Sequence, residues 1–185
     1  MYRLPDSLSV NGTDHKIRTD YRDVMNIMAA MEDPNLEDSE KVYVTLFVLY
    51  EDFEDLSPDD YEEAFNQALW FLNNGETSQD TKRSAKLIDF EQDERLLIPA
   101  INRVAGFEVR SVEYMHWWTF LGYYMEIGEC TYSSVINIRS KRASGKKLEK
   151  WENEFFLKNK DIVLIKEKLS DEEIEDKKRL MEILG

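Results

Sequence analysis

One cysteine, two histidines, seven glycines and four prolines are all that this 185-residue chain holds of those four residue types. The lone Cys130 excludes an internal disulfide, so a reducing cytoplasm is the expected compartment. His15, His116 and Cys130 make no ligand quartet for a transition metal. The scattered glycines form neither GxGxxG nor GxxxxGK, so no phosphate-cradling loop is read. No apolar run approaches the ~20 residues of a membrane span, and "MYRLPDSLSV" lacks the n- and h-regions of a signal peptide. Glycine and proline are too few for a turn-rich all-β fold. No cofactor and no enzyme mechanism emerge.

Positive charge is also scarce. The net charge is −14, and residues 1–140 hold 27 acidic against 12 basic side chains, while 141–185 hold 11 against 12. Phosphate binding needs clustered Lys and Arg, so nucleic acid is not the expected ligand. The best basic stretch, "IRSKRASGKK" (138–147), runs into a charge-mixed helix and reads as a solvated face.

What is present is helical periodicity over a substantial apolar fraction, 42% of the chain. Asn11-Gly12 marks a tight turn and predicts a small hairpin, roughly 8–10 with 15–18. Thr19 or Asp20 caps a helix through Met31, broken near Pro34. "SEKVYVTLFVLYED" is apolar nearly all round, which predicts burial on several sides. Segment 51–63 carries eight carboxylates and no base, with Ser57-Pro58 starting a helix whose apolar face is Tyr61, Ala64, Phe65, Ala68, Leu69 and Leu72. "NNGETSQDT" (73–81) is the longest polar loop and the one expected to be flexible.

Asp89 caps a helix through about Ala105, with a kink or break expected at Pro99 and an end at Gly106. Ser111 caps the next, with 113–126 as its interior, and Thr131 starts another through about Arg142. Ser144-Gly145 is read as a joint. The expected fold is all-α: a single helical core domain (1–143) with a small N-terminal β-hairpin, then a charged C-terminal helical extension (144–185). In the extension Leu148, Trp151, Phe155, Ile162, Ile165 and Leu169 follow heptad positions, a candidate surface for a client or for self-association. It reads equally as a tail packed on the body or as a projecting arm, built from one helix or two.

Two constellations invite chemistry. "DFEQDE" sets Asp89, Glu91 and Asp93 in a helix's first turns, where a divalent ion would give a small acidic metal-dependent enzyme. Carboxylates are also favoured there by capping and by the helix dipole alone. "VEYMHWWTFLGYYMEIGEC" holds six aromatic residues and a histidine, and reads as a central core helix. Its polar handles need partners if buried. The expected group is a structural cluster in which His116 pairs with Asp89 or Asp93 and Arg139 completes it.

Five blocks in order resemble one family: "VNGTDHKIRTDYRD" (10–23), "WFLNNG" (70–75), "DFEQDE" (89–94), "HWWTFLG" (116–122) and "VINIRSKR" (135–142). Together they cover about residues 4–142 and resemble the phage "gp fifteen" family of long-tailed phages infecting Gram-positive bacteria. The resemblance implies a mainly helical product encoded beside the tail tape measure gene. It implies tail assembly chaperone activity in the infected cell: binding the tape measure protein, helping to recruit tail tube subunits, and absence from the finished virion. It implies no catalytic residue.

Overall fold

The computed structural model describes residues 3–76 and 85–184. Of the polar stretch 73–81, residues 77–81 lie outside the described residues. The chain divides into two compact units, Met1–Leu72 with Lys166–Gly185, and Asn73–Ile165. The fold is mostly α, with a two-stranded antiparallel hairpin near the N-terminus.

In the first unit, β1 (Ser7–Val10) pairs with β2 (Thr13–Lys16) across Asn11 and Gly12, at φ 48° and 86°. Positive φ at both positions gives the tight turn whose twist matches paired strands, and Gly12 adopts it without steric cost. Val10 therefore faces Thr13 directly, so the second strand begins earlier than the 15–18 read from the sequence. Ile17, predicted within it, bridges Tyr50 instead.

Asp20 caps α1 (Tyr21–Met31) by accepting the Arg22 amide, and Tyr21, Val24 and Ile27 turn inward. Helix α2 (Asp38–Leu49) starts at a capping box, in which the Glu40 carboxylate accepts the Glu37 amide at 2.8 Å. Its last carbonyls are gathered by Arg18, whose Nη1 donates to Phe47, Val48 and Tyr50 oxygens. Ser57 and Pro58 open a short 3₁₀ turn leading into α3 (Tyr61–Leu72), which buries Ala64, Ala68, Phe71 and Leu72. The Tyr50 hydroxyl ties this helix to the end of α2 by donating to the Ala64 carbonyl at 2.8 Å.

Burial of α2 on several sides does not occur. The helix packs against α1 and α3 and buries Thr45, Leu46 and Leu49. Tyr43 and Phe47 stay 51% and 56% exposed.

The second unit opens with α4 (Phe90–Ala105), capped by Asp89 and closed by Gly106 at φ 80°. Pro99 lies inside α4 without breaking it. Residue 99 is exposed, so the Arg95 carbonyl left without an amide can turn to water. Helix α5 (Trp117–Met125) is shorter than predicted, because His116 rather than Ser111 is its cap. It is also not buried all round: Trp117 and Phe120 are core and stack at 5.8 Å, Trp118 is half-buried, and Met125 is 70% exposed.

Helix α6 (Thr131–Ala143) follows, closed by Ser144 and by Gly145 at φ 67°. Helices α7 (Lys150–Lys158) and α8 (Lys160–Val163) complete the unit. Helix α9 (Asp171–Leu184) belongs to the first unit, where the Asp171 amide donates to the Asn35 side chain.

The two faces of α2 make a clean comparison. Leu46→Ala should cost about 2–5 kcal/mol, while Phe47→Ser one residue on, which loses only ring contacts at the surface, should cost about 1 kcal/mol. Urea denaturation followed by circular dichroism checks both values.

Candidate functional site: a buried guanidinium and its partners

A long cationic side chain inside a protein must find an acceptor for each N–H. Arg139 on α6 is 6% exposed and finds five. Its Nη1 and Nη2 donate to Asp93 Oδ2 and Oδ1 at 2.6 and 2.8 Å, a bidentate pair reaching across to α4. Its Nε donates to the Val163 carbonyl, and the remaining Nη protons go to the Leu87 and Ile162 carbonyls, all between 2.7 and 2.9 Å. One planar group thus joins the approach to α4, α6 and α8. A lysine, with three donors and no fork, cannot reproduce this.

Asp93 is 1% exposed, and its Oδ2 also accepts the Asp89 amide at 3.0 Å. Asp89 in turn accepts the Gln92 amide and the Lys86 ammonium, each at 2.8 Å. Arg139, Asp93 and Asp89 therefore come together. His116 sits at the head of α5, with Nδ1 accepting the Trp118 amide at 3.0 Å. That role is open only to an imidazole whose Nδ1 carries no proton.

For the metal alternative, both Asp93 oxygens already face Arg139, and Glu91 is exposed. Among the described residues, no group of three or more His, Cys, Asp or Glu side chains is placed to hold a metal ion.

A second clasp was not read from the sequence. Glu152 on α7 is 1% exposed, and its Oε1 accepts from Lys141 Nζ at 2.6 Å and Asn137 Nδ2 at 2.9 Å, both on α6. Its Oε2 accepts the Glu149 amide, closing a capping box at the start of α7. The signal available was the Glu149-x-x-Glu152 spacing before a helix. The Lys141 ammonium, then the Glu149 amide, holds the Glu152 carboxyl below the ordinary glutamate value of 4.5.

The heptad positions do not form one continuous stripe. Leu148, Phe155 and Ile162 pack with Leu96 and Phe156 against buried Val135, Ile138 and Val163. Ile165 and Leu169 are half-buried, which leaves Trp151, 50% exposed, as the outward member. The helix ends at Lys158 and resumes at Lys160, so a heptad register cannot run through it. At the connection between α6 and α7 lies an open cleft of about 740 Å³ whose lining includes Arg142, Lys146, Lys147 and Lys150.

Together these features define a mostly helical protein with an N-terminal hairpin and, in its second unit, a buried ion pair that joins several helices. The chain belongs to the family described as Bacteriophage Gp15 protein, whose model matches residues 2–165. No curated protein and no solved structure matches it.

Two outcomes follow. Asp93→Leu and Arg139→Met should each cost about 3–5 kcal/mol, by stranding the buried partner, and the double variant should cost far less than their sum. Chemical denaturation of the four proteins reads this coupling. The second concerns Glu152. Its carboxyl titrates lower when folded than unfolded, so its stabilisation is complete above pH 4.5 and is lost as pH falls through the folded value. Glu152→Gln should flatten the acid limb of a melting-temperature profile below pH 4.5. An unchanged limb would show that Glu152 adds no such linkage.

Proposed function

We propose that this chain is a tail assembly chaperone that binds the phage tape measure protein during tail morphogenesis and helps recruit tail tube subunits. The observation that carries the reading is membership of the phage family over residues 2–165. The motif blocks that resemble that family, and the place such products hold beside the tape measure gene, give it its direction. On this reading the protein works in the host cytoplasm, stays out of the finished virion, and acts by binding rather than by catalysis.

The physical properties fit a binder. Among the described residues no helix is long and apolar enough to cross a membrane. A net charge of −14 keeps a complex with an apolar client dispersed. Large apolar side chains remain exposed on helices of both units, including Phe47, Leu157 and Met181, and can cover the apolar stripes of a long helical client.

Co-expression tests the reading. The tape measure protein, insoluble alone, should move to the soluble fraction and co-purify with the full-length chain, and mass spectrometry of purified virions should not detect the chain. A tape measure protein that stays in the pellet and leaves nothing on the affinity column would sink the proposal.

A further inference from the structure

The first unit carries an exposed aromatic patch that its own core does not explain. Tyr43 and Phe47, four residues apart on α2, stack with centroids 6.2 Å apart and planes 8° from parallel. Phe53, in the 3₁₀ turn after α2, meets both edge-on at 5.1 and 5.7 Å, and Tyr61 at the start of α3 lies 5.7 Å from Phe53. Four interlocked rings hold one another in place, so the surface is formed before any partner arrives. Both rings on α2 are more than half exposed. Clustered exposed aromatics of this kind are characteristic of binding surfaces rather than of solvated faces.

Charge identifies the occupant. Segment 51–63, which supplies Phe53 and Tyr61, has eight carboxylates and no Lys or Arg. Glu54, Asp55 and Asp59 are exposed, while Asp52 and Asp60 accept from His15 and Asn11. The cations on the flanking elements are Lys16, Arg18 and Lys41, of which Arg18 turns its Nη1 to the carbonyls at the end of α2, so carboxylates outnumber them around the rings. An apolar centre with an acidic rim attracts a cationic partner and rejects an anionic one. The two exposed rings lie along the α2 axis at helical spacing, which suits a second helix laid alongside with apolar residues on one face.

We propose that Tyr43, Phe47, Phe53 and Tyr61 form the docking surface for a basic amphipathic helix of a partner polypeptide. The proposal deepens the client reading above, and its biological setting rests on it. A second copy of this chain is the poorer occupant, because each copy carries a net charge of −14.

Fluorescence anisotropy with the full-length protein tests the surface directly, using labelled Leu/Lys and Leu/Glu amphipathic helical peptides. The Leu/Lys peptide should bind and weaken as salt rises, and the Leu/Glu peptide should not bind. The Tyr43→Ser/Phe47→Ser variant should lose about tenfold or more in affinity with an unchanged circular dichroism spectrum. Glu54→Lys/Asp55→Lys, which leaves the rings intact, should lose affinity as well. Equal binding by wild type and the ring variant would overturn the proposal, as would equal binding of both peptides. So would a homodimer that only the ring variant abolishes.

Tape measure co-purification separates the two claims. Retention by wild type and by the ring variant alike would remove this surface while leaving the client reading intact. Peptide binding through the rings without any tape measure retention would remove the client reading and keep the surface.

Discussion

The second unit depends on a guanidinium that has left water. Arg139 could be buried only if every N–H found an acceptor, and the fold meets this with one carboxylate and three backbone carbonyls. Those acceptors come from three places in the chain, residues 87, 93 and 162–163, so the charge requirement fixes how α4, α6 and α8 meet. Apolar packing of Val135, Ile138 and Val163 fills the same region. Hydrophobic contact tolerates sliding, whereas a bidentate ion pair does not. The register of these helices is therefore set by the polar group and the density of packing by the apolar ones.

The first unit is organised differently. Its described buried residues are mainly apolar, and its polar ties include caps at Asp20 and Glu37, the Tyr50 hydroxyl on α3, Arg18 closing α2, and His15 beside Asp52. Carboxylates crowd its surface between 51 and 63, and aromatic rings surface among them. One unit spends its charge internally on register, and the other displays charge externally. That contrast is what places the proposed docking surface on the first unit.

Much of this was legible in the sequence, for identifiable reasons. The hairpin was visible because Asn-Gly specifies a turn, and the caps at Asp20, Asp89 and Gly106 because local chemistry specifies helix ends. Asp93 and Arg139 could be singled out because buried polar types need partners. What failed depended on neighbours in space. The α2 helix looked buried because its composition is apolar all round, but composition does not say how many sides have neighbours. The α5 helix began later than periodicity suggested, because an imidazole took the capping role usually given to Ser or Asp. The Glu152 clasp was missed because its partners Asn137 and Lys141 sit across a joint on another helix.

The carbonyls that Arg139 holds belong to Ile162 and Val163, and the family match ends two residues later, at 165. The chain that follows, 166–185, belongs to the first unit, so a tie at Ile162 and Val163 fixes where the second unit's share of the chain ends. Along the chain, the guanidinium's hold on Ile162 and Val163 stands between that segment and the α4–α6 packing. Arg139 thus acts as a strain relief, the molecular counterpart of a clamp set where a cable leaves its housing.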